Sequence, residues 1–347
     1  MDKKSIQRHR QRKAVFCSLN SIRELCKLLK TDQRRLTLMC KQPKYRTFTV
    51  PKRDGGERRI ETPDAELKRI LGNLNRYLQS VYLFEKPSAA FGFITGVKND
   101  EDRRNILTNA KKHVGKDYLL NVDLKDFFHS VTREQIVQLF VGKPFGFKRE
   151  LPDILADLTT YQGRLPMGTP TSPALSNFAC RELDEQLQQY ADAMLWTYTR
   201  YADDMSFSSN QLIAAEKVNS TCRLIEQAGF QVNYRKVKVY GPDDDKIVTG
   251  LLVTDKVDLT PDFLPKLEEE IQHLKAIMIA QNEQGQISTK WVEQLKQQIR
   301  GRLSFAGFVL KRGNEQYIAL KNAYYEAINP PQEDFSAVSW RGFPYNF

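Results

Sequence analysis

The sequence predicts an α+β fold, and two kinds of pattern predict it. Short runs of aromatic and β-branched residues are joined by turn-forming residues and read as antiparallel hairpins. Between and after them, apolar residues recur every three or four positions and read as amphipathic helices. At 347 residues the chain exceeds the usual single-domain size, so two or three packed subdomains with more than one apolar cluster are expected.

In chain order, residues 1–13 carry Lys3, Lys4, Arg8, Arg10, Arg12 and Lys13 against one acid, Asp2, and read either as a basic arm outside the core or as a solvated helix end. Thr47 to Thr62 suggests two strands joined through Asp54-Gly55-Gly56, which supplies the positive φ of a tight hairpin. Asn99 or Asp100 is positioned to cap a helix running to about His113, followed by a strand from Tyr118 to Val122 that delivers Asp123 at its end. After Pro173, the apolar positions Leu175, Phe178, Ala179, Leu183, Leu187 and Tyr190 mark one face of a single long helix. Leu195 to Ser209 reads as a hairpin with Asp203-Asp204 at its turn. A further helix ends near Gly229, and short strands follow through Val253.

Thr260-Pro261 starts a helical C-terminal third with Val292, Leu295, Ile299 and Leu303 as a late buried stripe. Pro330-Pro331 opens a tail bearing Trp340, Phe343, Tyr345 and Phe347, which either docks on the fold or awaits a partner.

The 53 Lys and Arg against 42 Asp and Glu leave a formal charge of +11, which favours a polyanionic partner, nucleic acid first. No run of about 18 apolar residues is present, so no membrane partner is expected and a cytoplasmic location fits best. The five cysteines show no C-x-x-C spacing, which points to neither a disulfide framework nor a zinc site.

Asp123 at a strand end and Asp203-Asp204 at a hairpin tip are the residues with chemical consequence. Taken singly, each acid fits a solvated turn. If the three meet, their mutual repulsion implies a hard divalent cation, and transfer of a nucleotidyl group from a nucleoside triphosphate needs such an arrangement with two Mg²⁺ ions. Asp123 and Asp203 would be shared by both ions, with Asp204 more peripheral.

Three ordered motifs carry a resemblance. Asn121-Val122-Asp123-Leu124-Lys125-Asp126-Phe127-Phe128, Leu165-Pro166-Met167-Gly168-Thr169-Pro170-Thr171-Ser172-Pro173 and Tyr201-Ala202-Asp203-Asp204 together resemble the reverse transcriptase family, from about residue 45 to 310. The resemblance implies a right-hand polymerase: a basic N-terminal helical extension at 1–45, fingers and a palm of antiparallel sheet plus helices at 46–255, a helical thumb at 256–328 and the aromatic tail at 329–347. Asn109-Ala110-Lys111-Lys112-His113 and Val248-Thr249-Gly250 are similar to two short elements of the bacterial retron subgroup. There, Asn109, His113, Val248, Thr249 and Gly250 would contact RNA. The residue-level alternatives are a satisfied polar contact under the palm for Asn109 and His113, and a plain strand and turn for the other three.

The same resemblance places Arg58, with Lys52 as helper, over the incoming triphosphate, where a guanidinium forks onto phosphate oxygens; each also fits a solvated strand charge. It places Phe128 under the sugar as a gate against a 2′-hydroxyl, with Phe127 pointing the other way on a strand, and Lys236 near the leaving pyrophosphate; Phe128 also fits an ordinary core aromatic and Lys236 a surface charge. Met167 stands where the family usually has Gln, keeping the packing but losing the amide's hydrogen bonds. Gly301 to Leu310 would line the RNA-DNA minor groove, or the lobe is a plain helical bundle.

The reading is therefore an RNA-directed DNA polymerase of retron type. Such enzymes use Mg²⁺ and deoxynucleoside triphosphates, copy a structured noncoding RNA (msr-msd) into single-stranded DNA (msDNA) from an internal RNA 2′-hydroxyl, and act in antiphage defence beside a separate effector protein. The alternatives are a group II intron-like or other defence-associated reverse transcriptase, and a catalytically silent RNA-binding scaffold. No maturase or endonuclease extension is recognised after residue 310, which weighs against the intron enzyme. The intact acids weigh against the scaffold.

Overall fold

The computed structural model describes residues 3–51, 55–97, 100–283 and 289–329. It is a mixed α+β protein with antiparallel sheets, and it divides into two units, residues 1–256 and 257–347.

In the first unit, three helices, α1 (Lys3–Cys17), α2 (Ile22–Leu29) and α3 (Gln33–Lys41), precede a hairpin of β1 (Tyr45–Pro51) and β2 (Glu57–Pro63). Basic α1 is not a free arm. Its exposed face carries Lys3, Lys4, Arg8 and Arg10, but Phe16 is fully buried against Phe145 and Phe147, and His9 Nδ1 lies 2.9 Å from Ser80 Oγ. That serine is on the long α4 (Ala65–Glu85), whose first turn is capped by the Asp64 side chain on Leu67 N–H. In the β1–β2 hairpin, Gly55 has φ +84°, the left-handed geometry the turn reading required; Asp54 lies outside the described residues.

The helix expected to start at Asn99 or Asp100 starts later. Asn105 caps α5 (Ile106–Ala110) through a reciprocal capping box with Thr108, and Asn99 lies outside the described residues. β3 (Tyr118–Lys125) runs two residues past Asp123, because Leu124 and Lys125 gain pairing with β6 (Gln231–Val232). After α6 (Arg133–Val141) and α7 (Leu151–Thr159), the single long helix expected beyond Pro173 is two, α8 (Ser172–Ala179) and α9 (Arg181–Ala193). They meet at Cys180, whose backbone is still right-handed, so the apolar period continues across the break.

β4 (Thr197–Tyr201) and β5 (Asp204–Ser209) form the second hairpin; α10 (Ala215–Gln227) then ends short of Gly229, which has φ +86°. The central sheet runs β4-β5-β3-β6, with β7 (Lys238–Tyr240) also paired to β3. Helices cover it, and one continuous core joins Leu120, Val122, Met205 and Phe207 to Leu74, Phe140, Leu175 and Leu187. β8 (Ile247–Val248) and β9 (Leu251–Val253) form a two-residue hairpin over Thr249 and Gly250, both at positive φ.

The second unit is built on α11 (Phe263–Glu283), α12 (Lys290–Leu310) and α13 (Glu315–Ile328). Its own core holds Leu267, Ile271, Leu274, Val292, Ile299, Leu303 and Tyr324, with Leu295 partly buried against it. The aromatic tail with Trp340 and Phe343 lies outside the described residues.

Candidate active site

Strand pairing brings the three acids to one end of the sheet. Asp123 on β3 is the direct cross-strand partner of Asp204 on β5, and Leu124 N–H donates to the Asp203 carbonyl at 3.1 Å. Asp203 sits with Ala202 in the two-residue β4–β5 turn, where Ala202 takes φ +59°, a conformation alanine adopts only under constraint.

The electrostatics follow from this crowding. Desolvation, the Asp203 charge and then the Asp123 charge push the Asp204 carboxyl up to about 6. Asp203 is also raised, by desolvation and by Asp123, against partial relief from Lys236 and Arg58. Asp123 is tied down: Asn233 Nδ2 donates to one oxygen at 2.9 Å and Lys236 Nζ approaches the other at 3.3 Å. Among the described residues, no three His, Cys, Asp or Glu side chains are already gathered as a metal cage. The donor chemistry fits a hard divalent cation all the same, since it consists of carboxylate oxygens from Asp123, Asp203 and Asp204 crowded at one sheet end.

Around the acids, Arg58 is exposed on β2 opposite Val50, near enough for its charge to act on Asp203. Lys52 lies outside the described residues. Phe128 does not extend the strand. Residues 126–130 form a turn opened by Asp126 at φ +50°; Phe127 is buried, while half-buried Phe128 packs 5.9 Å from Phe93. Met167 is half-buried, and its carbonyl accepts from Glu61 N–H on β2 at 2.7 Å. Next to it, Gly168 has φ +125°, and a Cβ there would lie 2.9 Å from Ile60 Cγ2 and 3.0 Å from the Glu61 carbonyl. Only glycine lets this loop lie against the hairpin.

The five positions read as RNA contacts are mostly interior. His113 is 2 % exposed, with Nδ1 2.7 Å from Ser208 Oγ and Nε2 2.7 Å from Thr199 Oγ1. Burial lowers its pKa to about 3, so the ring is neutral and braces β4 to β5 from behind. Asn109 is 1 % exposed, and Val248 is fully buried. Thr249 is half-buried and Gly250 exposed. The satisfied-contact alternative thus describes the geometry of His113, and the strand-and-turn alternative that of Val248, Thr249 and Gly250, whereas the Asn109 side-chain oxygen is buried without a hydrogen-bond partner.

Sequence reasoning passed over three groups. Asn233 binds Asp123 through its side chain and, by its N–H, through the Asp123 carbonyl at 2.8 Å. Glu61, fully buried, takes a bidentate pair from Arg164 at 2.9 and 3.0 Å. Arg200 is buried beneath the Ala202-Asp203 turn. The signal for Arg200 was strand alternation, which puts it on the inward face with Tyr198.

The family model described as "Reverse transcriptase (RNA-dependent DNA polymerase)" matches residues 50–249, a stretch that holds the carboxylate hairpin and its supports. The retron Ec86 reverse transcriptase of Escherichia coli is 31% identical over 265 residues, covering 74% of this chain and 78% of its own. The retron Mx65 enzyme of Myxococcus xanthus is 35% identical over 244 residues, and the retron Mx162 enzyme of the same organism 34% over 240. Those two alignments cover 64% and 60% of this chain and 54% and 47% of the Myxococcus proteins, so the chain spans about half their length. The chain belongs to the retron-type reverse transcriptases, a family of RNA-directed DNA polymerases that use divalent metal ions. Among the described residues no helix is long and apolar enough to cross a membrane.

Proposed function

We propose that this protein copies a structured noncoding RNA into single-stranded DNA, starting from an internal 2′-hydroxyl of that RNA and leaving a branched RNA-DNA product. It does so in the cytoplasm, in antiphage defence beside a separate effector protein. The observation that carries the reading is the pairing of Asp123 with Asp204 at the sheet end, with Asp203 in the adjoining turn, in a chain of retron type.

In this reading Asp123, Asp203 and Asp204 hold two Mg²⁺ ions. Bound there, the ions would lower the pKa of the attacking hydroxyl and offset the charge of the triphosphate. The chain's own residues do the rest. Asn233 fixes the rotamer of Asp123, and Lys236 keeps a positive charge beside it in reach of a pyrophosphate. Arg58, with Lys52, presents donors to the phosphates of the deoxynucleotide from the β1–β2 hairpin, which acts as fingers. Phe128 limits the space at the sugar 2′ position, and Met167 packs against the nucleotide without the amide contacts of Gln. The central sheet serves as palm, and the helical second unit, with Gly301 to Leu310, as thumb along the RNA-DNA duplex. Val248, Thr249 and Gly250 shape an RNA-facing edge through the exposed turn, and Asn109 and His113 support it from inside.

The test is to purify the protein expressed with its flanking locus, extract bound nucleic acid and digest it separately with RNase and DNase. An Asp203→Asn, Asp204→Asn protein serves as control. A short DNA covalently joined to RNA, absent from the control, is expected. Unbranched DNA would overturn 2′-hydroxyl priming, and RNA alone, identical in both proteins, would overturn DNA synthesis.

A further inference from the structure

The Ala202-Asp203 turn is held from below by a buried charged network. Arg200 is fully buried and pairs with Asp184 on α9, Nε to Oδ1 at 2.7 Å and Nη2 to Oδ2 at 2.6 Å. Tyr198 adds a third bond to the Asp184 carboxylate at 2.9 Å. The remaining guanidinium nitrogen, Nη1, donates to the Ala202 carbonyl at 3.0 Å and to Asn177 Oδ1 at 3.0 Å. Asn177 in turn donates to the Gly92 carbonyl at 2.9 Å. Gly92 has no room for a side chain, because a Cβ there would lie 2.4 Å from Ala202 N. The segment carrying it is laced to β4, Arg200 N–H to the Ala89 carbonyl at 2.7 Å and Phe91 N–H to the Arg200 carbonyl at 2.8 Å.

A guanidinium buried this deeply is an expensive way to add stability, since apolar side chains of similar volume commonly serve as well. What they cannot supply is a rigid donor aimed at one carbonyl. That carbonyl belongs to the residue held at φ +59°, immediately before Asp203. The turn must keep its place although the Asp203 and Asp204 carboxylates are crowded at one sheet end with Asp123, the direct cross-strand partner of Asp204.

We infer that Arg200 is a positioning residue for catalysis: clamped by Asp184, it fixes the Ala202-Asp203 turn, and so the Asp203 and Asp204 carboxylates, through its bond to the Ala202 carbonyl. The inference rests on the assignment of Asp203 and Asp204 as catalytic acids. It predicts that stability and catalysis separate.

The experiment uses the full chain on an RNA template with an annealed DNA primer and compares four proteins with the wild type. The triple variant Arg200→Met, Asp184→Leu, Tyr198→Phe removes the network without stranding a charge. Arg200→Lys keeps a cation beside Asp184 but cannot also reach the turn. Tyr198→Phe trims the network away from the turn, and Asp203→Asn tests the acid itself. For the triple variant and Arg200→Lys, kcat is expected to fall by about 100-fold, the loss that a misplacement of roughly 1 Å produces, with KM for deoxynucleotide and affinity for primer-template within about threefold. Both should also bind Mn²⁺ more weakly by electron paramagnetic resonance, a readout independent of turnover. Tyr198→Phe should lower the melting temperature and keep kcat.

A folded triple variant that keeps its kcat overturns the inference whatever its melting temperature, because the turn is then positioned without the network. Should the triple variant not fold, Arg200→Lys with wild-type kcat and Mn²⁺ affinity overturns it equally. If Asp203→Asn polymerises normally, the acid assignment fails first; if it is inactive while the Arg200 variants are not, the positioning inference alone fails.

Discussion

Asp123 and Asp204 face each other directly across the β3–β5 ladder, a position at which like charges destabilise a strand pair. The Asp204 carboxyl is pushed up to about 6, so between about pH 4 and pH 6 the folded protein holds a proton that the unfolded chain has released. Its contribution is therefore most favourable in acid and is lost as pH rises through 6. Asp204→Asn should raise stability at pH 7 and leave it unchanged near pH 4. Asp204 is exposed, so water screens the repulsion and the expected gain is about 1 kcal/mol or less. Thermal melts in EDTA from pH 4 to 8 check this. Mg²⁺ should raise the melting temperature of the wild type more than that of the variant, and an equal rise in both would count against Asp204 as a ligand.

Phe128 is half-buried between Phe127 and Phe93, with ring separations of 5.4 and 5.9 Å, so its side chain is braced rather than free to swing away. A braced ring discriminates by collision. Phe128→Ala should raise ribonucleotide incorporation relative to deoxynucleotide by about 10- to 100-fold, the range that steric pockets achieve. Single-nucleotide incorporation kinetics with matched ATP and dATP measure the ratio, and an unchanged ratio removes the gate.

His113 gives a stability signature of opposite sign to Asp204. Its pKa is lowered to about 3, so from pH 6.5 downward the unfolded chain takes up a proton that the folded ring refuses, and stability is lost as pH falls. His113→Phe should flatten the stability profile between pH 6.5 and 4. At pH 7.5 it should cost about 2–3 kcal/mol, since the Ser208 and Thr199 hydroxyls lose their buried partner. Filter binding to the cognate RNA at a permissive temperature is expected to show affinity within twofold of the wild type. A larger loss would restore a direct RNA contact.

Much of this arrangement was legible in the sequence. Asp123 stands at the end of an aromatic and β-branched run, and Asp203 within a hairpin pattern, so local rules alone bring both to sheet ends. Other features escaped because the local signal was identical for two outcomes. Apolar residues keep their period through Cys180 although the helix breaks there. Asn109 and His113 at i and i+4 look the same whether they face water or a core. The Asp184 to Arg200 pair shows only as two charges at apolar-face positions sixteen residues apart, and no rule of period or turn chemistry says that they cancel. The late start of α5 was readable, because Asn105 and Thr108 form a capping pair that competed with Asn99 and Asp100.

The contact of Glu61 with Arg164 joins the β1–β2 hairpin to the loop that carries Met167. Glu61 has no exposed surface. Burial alone would raise its pKa, but the bidentate Arg164 bonds, with His129 and Arg59 nearby, bring it below the usual glutamate value. The pair therefore contributes stability above about pH 4.5, and that contribution is lost as pH falls through the lowered value. Glu61→Gln keeps the shape and removes the charge. Arg164 retains some access to water, so the cost at pH 7 is expected near 2 kcal/mol rather than that of a sealed pair. Gly168→Ala attacks the same joint sterically. It adds a Cβ 2.9 Å from Ile60 Cγ2 at a φ of +125°, and it should cost about 2–3 kcal/mol while leaving the Glu61 pair chemically intact. Both variants loosen one joint, so their effects should be less than additive, and a urea-denaturation double-mutant cycle measures the difference. Full additivity would mean that the ion pair and the glycine contact stabilise the fold independently, and that no single joint couples the hairpin to the Met167 loop.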